Sequence, residues 1–146
     1  MKKIISIFLA VIILVFSVNV MAAPASLAPS DAVSTTSGIL TVTNPSAEGI
    51  SSYDKTHNIS GYAASGVNVT IYNLKGGVYQ QFVKDGEPVS FTVGASGMFI
   101  KPVTLGYGKN ELLIRAEVDG KVQYVKRTIT VLSFNLFNLF KGFNLF

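Results

Sequence analysis

The sequence predicts an all-β protein, an antiparallel β-sandwich of about seven or eight strands in two sheets. Between residues 39 and 132 the chain is a series of short β-branched and aromatic runs, which Gly, Asn, Asp and Pro residues separate. This is the pattern of half-buried strands joined by turns. No stretch carries the apolar repeat of an amphipathic crossover helix, so a parallel α/β fold is excluded. A small closed barrel is the alternative arrangement of the same strands.

Eight runs fit strands by length and composition. They are residues 39–43, 58–63, 67–73, 79–84, 90–93, 98–105, 111–118 and 122–132. Asp119-Gly120 joins the last two and is a two-residue hairpin turn, because Asp tolerates positive φ and Gly has no Cβ to restrict it. Asp85-Gly86 is a second turn signal, and other glycines separate the remaining strands.

The Asp119-Gly120 turn also sets the register of the final hairpin. Ile114 then lies opposite Val125, and Arg115 lies opposite Tyr124 on the other face. The apolar pair predicts the core side, so Arg115 and Tyr124 are expected to point outward. By the same two-residue alternation the core also includes Val69, Ile71, Phe99 and Ile129.

The first residues are typical of a secretory signal peptide, residues 1–22 or 1–25. Lys2 and Lys3 precede an apolar run over residues 4–20, and the small residues of VMAAPAS follow. Cleavage after Ala22 and cleavage after Ala25 both satisfy the small-residue rule. An uncleaved membrane anchor is the alternative, since the run reaches the lower limit for a span. Residues 26–38, rich in Ser, Thr, Ala and Pro, are expected to form a flexible leader.

Charge and cysteine content exclude several classes of protein. The chain has a formal charge of +4, but two of its twelve basic residues lie in the predicted signal peptide and the others are scattered. It therefore lacks the basic face of a nucleic-acid-binding protein. It contains no cysteine, which excludes a disulfide framework and a lipid-modified cysteine. These features indicate a bacterial protein that is secreted or displayed at the cell surface.

Five short motifs follow one another through the strand region. They are Ser60-Gly61; Gly66 with Val67, Val69 and Ile71; Gly97 with Phe99; Leu105 through Gly108 to Asn110; and Thr128-Ile129-Thr130-Val131. In this order and spacing, residues 38–132 resemble the bacterial immunoglobulin-like domains of secreted and surface proteins. The most similar are the glucodextranase B-domain-like modules. The resemblance implies an immunoglobulin-like sandwich that serves as a spacer, an adhesion unit or an accessory domain, and it implies no activity of its own.

No arrangement of residues predicts catalysis. Nucleophilic catalysis requires a base beside the nucleophile, yet His57 is the only histidine and the chain has no cysteine. The Gly-x-Ser-x-Gly motif does not occur, and Asp85 with Glu87 is a poor carboxylate pair for glycoside hydrolysis. Neither a calcium loop nor a zinc-ligand cluster is present in the sequence. We therefore expect no catalytic residues, no metal, no cofactor and no small-molecule substrate.

The tyrosines of the chain suggest carbohydrate binding as a second, weaker hypothesis. Exposed aromatic rings form the stacking platforms of such sites, and Tyr53, Tyr79, Tyr107 and Tyr124 are candidates for exposure. Tyr107 and Tyr124 are the predicted carbohydrate-binding residues. The alternative is that tyrosine simply suits strands and their edges.

Residues 133–146, SFNLFNLFKGFNLF, form a Phe/Leu/Asn-repeat tail. Its three-residue repeat fits neither the period of a strand nor that of an α-helix, and the tail is too short to span a bilayer. It could lie in a membrane interface, bind a partner, mediate oligomerisation or pack on its own domain. The predicted partner- or membrane-binding residues are Phe134, Leu136, Phe137, Leu139, Phe140, Lys141, Phe143, Leu145 and Phe146.

These observations predict a non-catalytic, secreted or cell-surface module. We expect it to dock to a partner protein or another cell-envelope component through the tail. The alternatives are a peripheral membrane-attached binder that uses the tail and a carbohydrate-binding accessory module that uses exposed tyrosines.

Overall fold

The structure, a computed structural model, describes residues 22–134. Twelve strands and one 3-10 turn make up this part of the chain. In chain order they are β1 (Ser26–Leu27), the 3-10 turn (Pro29–Asp31), β2 (Leu40–Asn44), β3 (Gly49–Ser52), β4 (Thr56–Ala63), β5 (Asn68–Lys75), β6 (Val78–Gln81), β7 (Val83–Lys84), β8 (Glu87–Pro88), β9 (Ser90–Thr92), β10 (Met98–Thr104), β11 (Gly108–Val118) and β12 (Lys121–Val131). The all-β prediction is confirmed, and residues 22–134 contain no α-helix.

The strands form two main sheets and one small hairpin. The larger sheet has seven strands in the order β1-β6-β5-β11-β12-β3, with β9 also paired to β5. The smaller sheet has the order β10-β4-β2, and β7 pairs with β8. All pairs are antiparallel except β3 with β12, which run parallel. Antiparallel pairing therefore predominates in this part of the chain, and the parallel α/β fold that the sequence excludes does not occur there.

One core lies between the two sheets, as in a β-sandwich. Both sheets contribute fully or nearly fully buried side chains: Leu40, Val42, Ile59, Val67, Val69, Ile71, Val93, Phe99, Val103, Leu105, Leu112, Ile114, Ala116, Ile129 and Val131. The sequence-predicted core residues are confirmed among these. Val125 is partly buried and packs against the same core.

The final hairpin has the predicted turn and register. Asp119 and Gly120 adopt φ angles of 49° and 73°, which brings β12 back along β11 with the twist that a two-residue turn allows. Ile114 pairs with Val125, and Arg115 pairs with Tyr124.

Close packing between strands requires glycine at position 61 in β4. A Cβ at this position would overlap the backbone carbonyl oxygen of Thr41 and lie 3.0 Å from the Phe99 ring. Strand β2 approaches closely here, next to a register irregularity between Val42 and Asn44. Only glycine allows the two strands this spacing without a shift of backbone.

A second apolar cluster covers the outer face of the larger sheet. Tyr72, Tyr79 and Leu113, which we call the outer cluster, are buried on the side of β5, β6 and β11 that faces away from the smaller sheet. Leu27 and Ala32, from the segment before β2, pack against it. The central strands of this sheet are therefore buried on both faces.

The segment that provides this cover, residues 23–36, is called the N-terminal strap below. It begins along one edge of the larger sheet, where Ser26 pairs with Gln80 and Leu27 with Tyr79. It ends along β12, where the Thr35 amide donates to the Val122 carbonyl at 2.9 Å. The strap thus spans the outer face from β6 to β12.

This arrangement differs from the flexible leader that the composition of residues 26–38 predicts. Its backbone groups bond to β6 and to the start of β12, on sides that no other strand pairs there, and the side chains of Leu27 and Ala32 pack on the outer cluster. A compositional argument counts only the apolar area that a segment can bury by itself. It cannot count hydrogen bonds offered by edges formed elsewhere in the chain.

Two further differences concern strands. β3 falls in a stretch that the sequence leaves as a loop, because GISS has no apolar alternation to mark it. The predicted strand 79–84 is two strands, β6 and β7, which Phe82 separates. Arg115 points away from the core as predicted but is buried beneath the strap side of the sheet.

The predicted signal peptide up to residue 21 and the tail beyond Phe134 lie outside the described residues. The expectations for them stay predictions.

Candidate functional site at the aromatic end

Three chain segments meet where β12 ends. They are the loop 53–55 after β3, the loop 105–107 before β11, and residues 132–134. The Leu105 amide donates to the Lys55 carbonyl at 2.8 Å, and the Leu132 amide donates to the Ser52 carbonyl at 2.8 Å. These bonds fix the three segments relative to one another, so their side chains form one surface.

Asn110 holds the second of these loops in shape. Its side-chain Nδ2 donates to the carbonyl oxygens of Gly106 at 2.8 Å and Gly108 at 3.0 Å. The residue is buried, so these bonds satisfy a polar group that would otherwise destabilise the fold. Asn110 thereby positions Tyr107, which lies between the two glycines.

The surface carries three exposed aromatic rings. Tyr53 is 65% exposed, Tyr107 63% and Phe134 67%. The rings of Tyr53 and Phe134 meet edge to face, with centroids 6.4 Å apart, which is a favourable aromatic geometry. Lys55 Nζ lies 3.9 Å from the centroid of the Tyr107 ring, within the range of a cation–π contact. We call these four residues the aromatic end.

A polar groove lies beside the aromatic end. Its volume is about 530 Å³, and its lining includes Asn73, Gln80, Lys109 and Asn110. Carboxamide and ammonium groups of this kind hydrogen-bond to hydroxyl and carboxylate groups. Asn73 Oδ1 is itself buried and has no hydrogen-bond partner among the described residues. The groove can accept a polar ligand or the polar flank of a larger partner.

The structure separates the two predicted carbohydrate-binding tyrosines. Tyr107 precedes Gly108, which pairs with Val131, whereas Tyr124 pairs with Arg115, seven residues further along β11. Tyr124 is half-buried and packs against the outer cluster. Tyr79, another candidate for exposure, is buried in that cluster. Tyr72 shows why a tyrosine suits the strap-covered face, because its ring is buried while its hydroxyl donates to the Pro24 carbonyl.

Arg115 and Glu117 form a largely buried ion pair near Tyr124. Arg115 Nη1 lies 2.6 Å from Glu117 Oε2. Burial disfavours the charge of Arg115, but hydrogen bonds to Glu117 and Tyr124 outweigh burial and raise its pKa. The pair offsets two charges on this face of β11, and it stands apart from the aromatic end.

Other chemically suggestive residues are dispersed. His57 Nε2 lies 2.8 Å from the backbone carbonyl oxygen of Asp54, not from its carboxylate. Asp85 and Glu87 lie on the hairpin of β7 and β8. Across residues 22–134, no group of three or more His, Cys, Asp or Glu side chains is arranged to hold a metal ion.

Of the predicted tail residues, the structure describes only Phe134, and it places this residue against Tyr53. Leu136, Phe137, Leu139, Phe140, Lys141, Phe143, Leu145 and Phe146 lie outside the described residues. Sequence reasoning missed Tyr53 and Lys55 as members of this surface. The available signal was YDK, an aromatic and a cation in a short polar stretch, but nothing in it shows proximity to Tyr107.

Within the described part of the chain, no helix has the length and apolar character needed to cross a membrane. Comparison with protein-family models, curated proteins and solved structures gives no significant match to this chain.

Proposed function

We propose that this chain is an exported, non-catalytic module of immunoglobulin-like fold that binds a partner protein at the bacterial cell surface. The aromatic end and the tail that follows it form the contact surface. The observation that carries this proposal is the clustering of Tyr53, Tyr107 and Phe134, all exposed, where the tail leaves the domain.

The strand order supports the immunoglobulin-like part of the proposal. In an immunoglobulin constant-type domain, the first, second, fifth and fourth strands share one sheet, and the third, sixth and seventh share the other. The smaller sheet here joins β2, β4 and β10 in the order of the first, second and fifth strands, and the larger one joins β5, β11 and β12 in the order of the third, sixth and seventh. Among the described residues no strand of the smaller sheet takes the place of the fourth, because β6 and β9 pair with β5 in the larger sheet. The motifs Ser60-Gly61 and Leu105 to Asn110 lie where this fold would need a close strand approach and a fixed loop.

The chemistry of the aromatic end favours a protein partner. Tyrosine is enriched among the residues that dominate the binding energy of protein interfaces, because it buries a large ring and also offers a hydroxyl. Lys55 adds one positive charge above the Tyr107 ring. The sequence continues from Phe134 with four more phenylalanines and three leucines beyond residue 134. Burying a phenylalanine contributes about 1.5–3 kcal/mol, so a few anchors supply useful affinity.

The test compares three forms of the exported chain for binding to intact cells of the bacterium that produces it. They are the unaltered protein, the Tyr53→Ala/Tyr107→Ala double variant, and a chain lacking residues 135–146. Tyr62→Ala is the matched control, because Tyr62 is also exposed but lies on the outer face of the smaller sheet. We expect the unaltered protein and the Tyr62→Ala control to bind the cells, and the other two variants to lose binding. Protease treatment of the cells should abolish the binding of the unaltered protein.

Two other outcomes of this binding experiment would favour a membrane-bound protein or a tail that packs on its own domain. Binding that survives protease treatment and is reproduced by anionic phospholipid vesicles would instead indicate a peripheral membrane protein. If removal of residues 135–146 lowers the melting temperature and leaves binding intact, the tail packs on its own domain and the proposal for the tail fails.

A carbohydrate-binding module is the second candidate, which the polar groove beside Tyr107 favours. A pull-down with insoluble cell-wall polysaccharide tests it. Tyr107→Ala should then abolish retention, and Tyr124→Ala should leave it unchanged, because Tyr124 lies under the strap. Equal retention of the unaltered protein and of Tyr107→Ala would exclude this candidate.

A further inference from the structure

We infer that the mature protein begins at Ala23, because signal peptidase cleaves the bond between Ala22 and Ala23 and not the bond after Ala25. This inference rests on the proposed export of the chain. The sequence allows both sites, since each has small residues at the two positions that the peptidase reads.

Residues 23–25 are part of the folded domain. The Tyr72 hydroxyl donates to the Pro24 carbonyl at 2.8 Å. Gln81 Nε2 donates to the Ala23 carbonyl at 3.0 Å and to the Pro24 carbonyl at 3.1 Å. The backbone amide of Gln81 donates to the Ala25 carbonyl at 3.1 Å, directly before the pairing of β1 with β6. Each of the three residues therefore supplies an acceptor to the larger sheet.

Cleavage after Ala25 would remove all of these acceptors. Tyr72 has no exposed surface while these residues are present, and their removal would take from its hydroxyl a hydrogen bond that forms in a buried environment. Ser26 would become a charged terminus on a two-residue strand. Cleavage after Ala22 keeps every contact, and the exposed Ala22 leaves with the peptide.

The new terminus at Ala23 also has suitable surroundings. A small cavity beside Ala22 and Ala23 is lined by Thr70, Ser90 and Glu117, as well as Asn68 and Arg115. An ammonium group has three donors and needs oxygen acceptors, which these hydroxyl and carboxylate side chains provide. The charge of Arg115 is already paired with Glu117.

The reaction is a simple hydrolysis. Water adds to the carbonyl carbon of Ala22, and the bond from that carbon to the Ala23 nitrogen breaks. Ala22 leaves as the carboxylate end of the released peptide, and the Ala23 nitrogen takes a proton and becomes an ammonium group. A membrane-bound bacterial signal peptidase supplies the catalysis.

Intact-mass analysis and amino-terminal sequencing of the exported protein test the inference. We expect Ala23 as the first residue. Ser26 as the first residue, or an exported chain that still begins at Met1, would overturn it while the proposed export stands. Retention in the cytoplasm with Met1 intact would overturn the inference and the proposed export together.

Two variants separate the sites. Ala25→Phe should still yield Ala23, because the exposed Ala25 side chain is not read in that cleavage. Ala22→Phe should abolish the Ala23 product. If Ala25→Phe removes the major product and Ala22→Phe does not, cleavage occurs after Ala25.

The melting temperatures of purified chains that begin at Ala23 and at Ser26 test the structural reason. We expect the longer chain to melt higher by about 5 °C. Tyr72→Phe should lower the melting temperature of the longer chain and leave that of the shorter chain equal or higher. Identical melting temperatures for the two starting points would show that residues 23–25 contribute nothing to the fold and would remove the basis of the inference.

Discussion

The outer faces of the two sheets differ in what they present to solvent. On the larger sheet, Tyr72, Tyr79 and Leu113 are buried and the N-terminal strap packs over them. On the smaller sheet, Tyr62, Met98 and Ile100 are each more than half exposed, with Met98 directly opposite Tyr62 on β10 and β4. We call these three residues the open face. Similar apolar side chains therefore contribute to stability on one sheet and little to it on the other.

This difference shows that the residue types of a strand do not alone determine whether its outward-facing side chains are buried. The outer cluster is stable because a segment distant in sequence bonds to β6 on one side of it and to the start of β12 on the other. The smaller sheet has no such segment among the described residues, so it depends on contacts within itself and with the core. Changes that probe each sheet should therefore differ in predictable ways.

The largest effect is expected at Gly61, where the smaller sheet is most tightly built. Gly61→Ala places a Cβ against the Thr41 backbone and the Phe99 ring, so β2 must shift. We expect a loss of more than about 3 kcal/mol in the free energy of unfolding, measured by urea denaturation. Gly49→Ala is the control, because a Cβ there meets no atom within 4 Å. Equal stabilities of the two variants would contradict the close approach of β2 to β4.

Truncation of one side chain on each outer face tests the comparison directly. Leu113→Ala removes a fully buried side chain from the outer cluster and should lower the free energy of unfolding by about 3 kcal/mol. Met98→Ala on the open face should change it by less than about 0.5 kcal/mol. If both variants lose the same stability in thermal and urea unfolding, the strap does not distinguish the two faces.

A smaller effect is expected from the hydroxyl of Tyr72. Tyr72→Phe removes the hydrogen bond to Pro24 and should lower the free energy of unfolding at neutral pH by about 1 kcal/mol. Tyr62→Phe, on the open face, is the control and should have no effect. A loss as large in the control as in Tyr72→Phe would argue against a specific role for this bond.

The same tyrosine predicts how stability depends on alkaline pH. Burial raises the pKa of Tyr72 and of Tyr79 above 10.0, so the unfolded chain releases these protons at lower pH than the folded protein does. Their contribution is full below pH 10 and is lost as the pH rises from 10 toward the raised pKa values. Tyr72→Phe/Tyr79→Phe should flatten this decline in urea unfolding curves recorded between neutral pH and pH 11. An unchanged slope would contradict the burial of both hydroxyl groups.

The smallest effect concerns the end of the strap. The Tyr124 amide donates to Ser34 Oγ at 2.9 Å, so Ser34→Ala should lower stability by about 0.5 kcal/mol. Hydrogen exchange at the Tyr124 amide should become faster in the same variant. Ser37→Ala serves as the control, and an equal change of exchange there would indicate a general loosening of the segment.

Local chemistry predicts part of this fold well. Asp119-Gly120 determines a turn geometry, and that geometry determines which residues of β11 and β12 face each other. The alternation of Val69 and Ile71 likewise reports a face that is buried in the core. These predictions hold because each depends on residues that are close along the chain.

The remainder depends on contacts between distant segments. Gln123 shows the problem: its side chain accepts from the Ile39 and Leu40 amides and donates to the Leu40 carbonyl. It thus links β12 to the start of β2, and no pattern around residue 123 indicates this. The aromatic end has the same origin, since the contacts of Tyr53 with Phe134 and of Lys55 with Tyr107 form only after β3, β11 and β12 have come together. Sequence reasoning reached Phe134 and Tyr107 as separate candidates and could not place them together.

The position of β12 has a mechanical consequence for a module that is held by its tail. β12 is hydrogen-bonded over eleven residues to β11 and over four residues to β3. A pull on the tail acts along the axis of this strand, so the bonds on both sides are loaded together in shear and do not open one at a time. We expect a high unfolding force when the tail is pulled in a single-molecule experiment, and a low one when the pull acts across the strand at the Asp119-Gly120 turn. The last strand would then transmit force between the domain and the partner proposed for its tail.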